Sequence, residues 1–124
     1  MPTLNLSPLG HTWLLDLDGT IFKHNGYKLD GCDALLDGAL EFLRSIPEDD
    51  MIVFITSRAL EFKGITEDFL AKHAIRFDHI IYNAPYGERV LVNDRKPSGL
   101  NTAIAVNIDR DSLGVIQIVI DNAL

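Results

Sequence analysis

Short apolar runs alternate along this chain with stretches of helical spacing, and this alternation restricts its fold most. The runs at residues 13–15 and 51–55 are nearly continuous and have the length of strands. Between them, apolar residues recur every three or four positions in residues 35–46, and Pro47 follows, which predicts a helix that ends before this proline. Because strands covered on both sides need no polar face, the pattern predicts a mainly parallel α/β sheet with helices on both faces.

The remaining segments continue this pattern. Apolar residues at helical spacing predict a second helix within residues 62–73. Residues 21–33 are polar and contain the pair Asn25-Gly26, which predicts a flap of two short strands joined by a tight turn. Later strands are predicted at residues 79–82, 90–92, 103–106 and 115–119.

Composition limits the class of protein. With 124 residues and 47% hydrophobic positions, the chain is predicted to form one domain, residues 1–124. A formal charge of −7 without a basic cluster excludes nucleic acid as the main ligand. Cys32 is the only cysteine, so no intramolecular disulfide can form, which fits a reducing compartment. No secretory signal or run of about 20 apolar residues is visible, and we expect a small soluble cytoplasmic domain without membrane contact.

Ligands of open parallel sheets bind outside the carboxyl ends of the strands, so polar residues directly after the apolar runs are candidates. Asp16 and Asp18 follow the first run and, one residue apart, can point the same way. A bound cation is the simplest reason to tolerate two carboxylates so close together. Gly19 allows a sharp exit from the strand. The alternative is an Asx turn that closes the strand.

Two more strand ends carry polar groups. Thr56 follows residues 51–55, where its hydroxyl could donate to a phosphoryl oxygen while Ser57 caps the next helix; the alternative is that both hydroxyls only cap. After residues 90–92, Asn93 and Asp94 offer the hard oxygen ligands that Mg²⁺ prefers. Lys96 is a compact cation able to balance a phosphate. The alternative here is an ordinary polar turn before a proline.

Taken together, the three strand ends match one chemistry, which is attack on phosphorus by an aspartate while a magnesium ion holds the phosphate. Residues 16–20, Asp-Leu-Asp-Gly-Thr, resemble the first motif of the haloacid dehalogenase (HAD) superfamily. Thr56 matches the second motif, and Asn93-Asp94 matches a variant of the acidic fourth motif. The resemblance runs in order from about residue 13 to residue 94, and it implies a three-layer Rossmann-like HAD fold.

The resemblance also implies roles for these residues. Asp16 would be the phosphorylated nucleophile, and Asp18 the general acid that later acts as base. Thr56 would bind the phosphoryl group. Asp16, the backbone carbonyl of Asp18, and Asp94 with Asn93 would surround Mg²⁺. We expect further substrate contacts from Gly19, Thr20, Ser57, Arg58 and His24.

The family's third motif supplies a lysine or arginine, for which Lys72, Arg89 and Lys96 are candidates. We favour Lys96 because it lies nearest the expected phosphate. Too few residues separate the motifs for a large cap, so the site should be open, covered at most by the flap, a partner or a second copy.

The main hypothesis is a Mg²⁺-dependent phosphomonoester hydrolase that acts through an aspartyl-phosphate on a sugar phosphate or a similar small phosphorylated metabolite. The alternative from another class is a non-catalytic or regulatory module that binds phosphate without turnover, because fold alone does not establish activity. Phosphotransfer to an acceptor other than water is a third option, against which an open, wet site argues.

Overall fold

The computed structural model describes residues 2–124 and contains two open parallel sheets. The larger sheet has the strand order β2-β3-β4, and the smaller sheet pairs β1 with β5. The parallel α/β class predicted from the sequence is therefore confirmed. The strands are β1 (Thr3–Leu6), β2 (Thr12–Asp16), β3 (Met51–Ile55), β4 (His79–Ile81) and β5 (Gln117–Ile120).

Three short helices connect the strands. They are α1 (Gly26–Leu29), α2 (Ala39–Ser45) and α3 (Lys63–Lys72), and a 3₁₀ turn at Leu60–Phe62 leads into α3. The helix α2 ends before Pro47 as predicted, although it begins four residues later than the apolar spacing suggested. Within the described residues 2–124, no helix is long and apolar enough to cross a membrane.

The core lies between the larger sheet and the helices. Ile52 and Phe54 of β3 are completely buried, as expected for the central strand. On β2, Trp13 packs edge-on against Phe42 of α2, with ring centroids 5.8 Å apart. Leu14, on the opposite face of β2, is half-exposed. The structure thus covers one face of β2 and leaves the other partly open, so the predicted covering of both faces by helices is not seen at this strand.

The predicted two-stranded flap is wrong. A two-residue hairpin turn of the expected type needs positive φ at both central residues. Here Asn25 has φ 53°, but Gly26 is not in the positive-φ region and begins α1 instead. The backbone N–H of Leu29 donates to the carbonyl of Asn25, which closes a helical turn. We call residues 23–37 the strap, because this segment passes beside the carboxyl end of β2.

Two other predicted strands do not form. Residues 83–116 contain neither strand nor helix, so the runs at 90–92 and 103–106 have no ladder partner. Val90 and Val92 are 84% and 90% exposed. The larger sheet consequently ends at β4, whose outer edge pairs with no strand of residues 2–124. An apolar run alone does not make a strand, because a strand also requires a neighbour that accepts and donates its backbone hydrogen bonds.

A buried carboxylate anchors the amino-terminal end of the larger sheet. Asp50 accepts hydrogen bonds from the backbone N–H of His11 and from the indole N–H of Trp13, both at 3.0 Å. The Nδ1 atom of His11 lies 2.8 Å from the Asp50 carboxylate. Burial opposes the ionisation of Asp50, but the hydrogen bonds from Trp13 and His11 outweigh it and hold the pKa of this carboxyl below its ordinary value.

This anchor predicts an acid-sensitive contribution to stability. Because the folded-state pKa of Asp50 is lowered, its contribution is complete above the ordinary value of 3.8 and is lost as the pH falls through the folded-state pKa. At pH 7, Asp50→Asn should lower the free energy of unfolding by about 1–3 kcal/mol, measured by urea denaturation. The difference from wild type should shrink below pH 4. The exposed neighbour Asp49→Asn is the control, and equal effects of the two substitutions would refute the anchor.

Candidate functional site

Asp16 is the last residue of β2, and each of its carboxylate oxygens has a partner. The Thr20 hydroxyl donates to Oδ2 at 3.0 Å, and Arg89 Nη1 donates to Oδ1 at 2.7 Å. The side chain of Asp16 is 34% exposed, so solvent reaches it. The arrangement places the Asp16 carboxylate beside a partly exposed guanidinium at a strand end.

The chain turns sharply after Asp16. The backbone N–H groups of Thr20, Ile21 and Phe22 all point to the carbonyl of Leu17, whose side chain is completely buried. Gly19 makes this turn possible because its φ is +90°, which L-residues rarely adopt. The predicted sharp exit at Gly19 is thus confirmed.

Asp18 forms an ion pair with Arg58. Arg58 Nε and Nη2 donate to the two carboxylate oxygens of Asp18 at 3.0 and 2.8 Å. Nη1 and Nη2 donate in the same way to the two oxygens of Asp33, at 3.0 and 2.6 Å. The guanidinium is fully buried. Burial opposes its charge, but the hydrogen bonds and charges of Asp18 and Asp33 outweigh burial and raise the pKa of Arg58.

Aromatic and hydroxyl groups complete the surroundings of Arg58. The ring of Tyr27, from the strap, lies 4.0 Å from the guanidinium carbon, which is cation–π distance. The remaining hydrogen of Nη1 is directed to the Thr66 hydroxyl at 2.9 Å. All N–H groups of Arg58 are used within the protein, so none is left for the predicted contact with substrate in this arrangement. Its burial also excludes a surface position for Arg58.

Thr56 follows β3 as predicted, and it is buried. Its hydroxyl oxygen accepts a hydrogen bond from the backbone N–H of Arg58 at 3.0 Å. The prediction that Ser57 caps the next helix is wrong, because the following 3₁₀ turn begins at Leu60 with Ala59 as its cap residue.

The ends of β3 and β4 are held together beyond the sheet. The backbone N–H of Asn83 donates to the carbonyl of Arg58, and that of Ala84 to the carbonyl of Thr56. The Tyr82 hydroxyl donates to Glu67 at 2.9 Å. Burial and, next, this contact with Glu67 raise the pKa of Tyr82 above its ordinary value. These bonds fix the backbone that carries Thr56 and Arg58.

The structure does not bring Asn93, Asp94 and Lys96 to the Asp16 carboxylate. They lie in the exposed segment 83–116, where the Asn93 amide faces the Thr102 carbonyl at 3.5 Å and the Thr102 hydroxyl donates to the backbone carbonyl of Asp94. The backbone N–H of Lys96 donates to the carbonyl of Leu100.

The structure does not gather the residues predicted to hold Mg²⁺ in one place. Within residues 2–124, no group of three or more His, Cys, Asp and Glu side chains could hold one. The carboxylates of Asp16 and Asp18 are bound by two different arginines instead. The magnesium site therefore stays a prediction.

Arg89 is the basic residue that contacts Asp16. It is one of the three candidates for the third motif, of which the position in the chain favours Lys96. Asp33 was missed altogether, because an aspartate in a polar segment gives no sequence signal that it will pair with a distant arginine. No local spacing pattern could reveal this pair, since Asp33 and Arg58 are 25 residues apart.

His24 lies close to the turn at Gly19. Its backbone N–H donates to the Asp111 carboxylate at 2.7 Å. Its Nδ1 atom is enclosed and has no hydrogen-bond partner among residues 2–124. The predicted contact between His24 and substrate remains a prediction.

Comparison with known proteins adds no relative: no family model, no curated protein and no solved structure matches the chain.

The position of Thr56 predicts a stability effect of its hydroxyl. Thr56→Val keeps the side-chain shape but leaves the buried N–H of Arg58 without its acceptor, so the free energy of unfolding should fall by about 1–3 kcal/mol. Thr56→Ser retains the acceptor and should cost less. Urea denaturation of the three proteins measures the difference, and a valine variant as stable as the serine variant would contradict this role.

Proposed function

We propose that this chain is a phosphomonoester hydrolase in which Asp16 is the nucleophile. The observation that carries the proposal is the placement of the Asp16 carboxylate at the carboxyl end of β2, partly exposed and 2.7 Å from the Arg89 guanidinium. Arginine binds phosphoryl oxygens with the same donors that it offers to a carboxylate. Arg89 is itself partly exposed, so an entering phosphoryl group could accept its hydrogen bonds while remaining beside Asp16.

In the first step, an Asp16 oxygen attacks phosphorus and the bond between phosphorus and the ester oxygen breaks. The leaving oxygen takes the proton of Asp18, which acts as general acid and becomes a carboxylate. Arg89 and the Thr56 hydroxyl hydrogen stabilise the negative charge on the phosphoryl oxygens. The product is an aspartyl-phosphate and a free alcohol.

In the second step, water attacks the phosphorus of the aspartyl-phosphate. Asp18 accepts a proton from this water, and the bond between phosphorus and the Asp16 oxygen breaks. Inorganic phosphate leaves, Asp16 is again a carboxylate and Asp18 is again protonated. Atoms and charges thus return to the starting state.

The proposal includes a HAD-like, three-layer arrangement of the single domain. Residues 90–92 would add to the outer edge of β4 and carry Asn93 and Asp94 toward Asp16. Two observations support this: the side chains of Val90 and Val92 are almost fully exposed, and the outer edge of β4 pairs with no strand of residues 2–124. Mg²⁺, when bound there, would offset charge on the phosphoryl oxygens.

The substrate we propose is a sugar phosphate or a similar small phosphorylated metabolite. Asp16 and Arg89 are both partly open to solvent.

A second candidate function is a regulatory phosphate-binding module without turnover. It is favoured because Arg58 donates hydrogen bonds to both carboxylate oxygens of Asp18, the residue that must exchange a proton for turnover.

Turnover of 4-nitrophenyl phosphate and a panel of sugar phosphates, with and without Mg²⁺, tests the enzyme. Asp16→Asn should lower kcat at least 1,000-fold, on the order of the loss when a catalytic nucleophile is removed. The exposed Asp68→Asn on α3 is the matched control and should retain full activity. A wild-type protein that turns over no substrate, but whose Tm rises with inorganic phosphate, would support the regulatory module instead.

Hydrogen exchange tests the proposed addition of residues 90–92 to the sheet. In the presence of Mg²⁺ and beryllofluoride, the amides of Val90, Leu91 and Val92 should exchange at least ten times more slowly, because they would enter a hydrogen-bonded ladder. Asp94→Asn should weaken this protection. Unchanged exchange in a protein whose turnover requires Mg²⁺ would contradict the rearrangement.

A further inference from the structure

The guanidinium of Arg58 has no donor left for a ligand. Its five N–H bonds are directed to Asp18, Asp33 and Thr66, and Asp18 and Asp33 each receive two of them. The ring of Tyr27 lies against the guanidinium and adds a further constraint on its plane. An arginine held in this way can act on a reaction only through the groups that it holds.

The two carboxylates bound to Arg58 differ in their access to solvent. The side chain of Asp33 is 2% exposed, whereas that of Asp18 is 15% exposed. Asp33 therefore fixes the guanidinium from inside, and Asp18 is the member of the group that an entering molecule can reach. The orientation of Asp18 is set by a guanidinium that is itself fixed from the strap.

We propose that Arg58 is a positioning residue: held by its two hydrogen bonds to Asp33, its guanidinium orients the carboxyl group of Asp18 for proton transfer to the leaving group. This inference rests on the proposed function, because it assigns a role within that reaction. It also gives the strap a function, since Asp33 and Tyr27 both belong to residues 23–37.

A lysine cannot replace Arg58 in this role. It keeps the positive charge, but its ammonium is a point donor and cannot hold two carboxylates in fixed planes. In Arg58→Lys, Asp18 should keep a positive charge beside it but lose its orientation. The variant therefore separates orientation from charge.

Two substrates with different leaving groups show whether a positioned general acid has been lost. An alkyl phosphate needs a proton on its departing oxygen, whereas 4-nitrophenolate leaves without one. Arg58→Lys should lower kcat for the alkyl phosphate by about 100-fold, the lower range of general acid catalysis, and for 4-nitrophenyl phosphate by less than tenfold. KM should change by less than threefold for both. Asp33→Asn should show the same ordering, because it loosens the guanidinium.

Arg44→Lys is the matched control, since Arg44 is exposed at the end of α2. It should leave both substrates unaffected. Equal losses of kcat on both substrates in Arg58→Lys would show a merely structural role and overturn the proposal. A rise in KM on both substrates, with kcat unchanged, would assign Arg58 to substrate binding and also overturn it.

A double-mutant cycle in urea denaturation separates this inference from the proposed function. If Arg58 orients Asp18, the unfolding equilibrium constant of the double variant Asp18→Asn/Arg58→Lys should show coupling. Its change from wild type should differ at least fivefold from the product of the two single-variant changes. If wild type is inactive but this coupling is present, the proposed hydrolase fails while the orientation of Asp18 by Arg58 is supported. If the two effects multiply, the positioning role is overturned whatever the activity.

Discussion

One buried guanidinium organises the carboxyl end of the larger sheet. Arg58 follows β3, yet it binds Asp18 beyond β2 and Asp33 in the strap, so a single side chain joins three separate segments. A buried positive charge is costly unless it is paired and its N–H groups are satisfied, and here every donor has an acceptor. The positions of Asp18 and of the strap depend on this pairing.

Charge balance at the site is achieved differently from what the sequence suggested. Two carboxylates one residue apart predicted a shared cation. Instead, Asp16 is bound by Arg89 and Asp18 by Arg58, so each carboxyl group has its own arginine. This division gives the two carboxyl groups different environments: Asp16 is partly open to solvent beside a partly exposed arginine, whereas Asp18 faces a fully buried one. Different environments are what a nucleophile and a proton carrier require.

The strap shows how tertiary contacts override a local signal. Asn25-Gly26 is a strong hairpin pair by itself, but the segment has a ring and a carboxylate to place against Arg58. The short helix α1, rather than a hairpin, accompanies these contacts. The same reasoning explains the segment 83–116: its apolar runs have strand character, but none finds a backbone neighbour in this structure.

The sequence by itself determined the strands β2, β3 and β4 and the end of α2, because continuous apolar runs and a proline act locally. It also determined that Asp16 and Thr56 would lie at strand ends, since their place in the chain fixes their place in a parallel sheet. Only the tertiary structure decided that Arg58 is buried and that Arg89 contacts Asp16. Such ion pairs join residues that are distant in the chain, and local propensities do not determine which charged residues will pair.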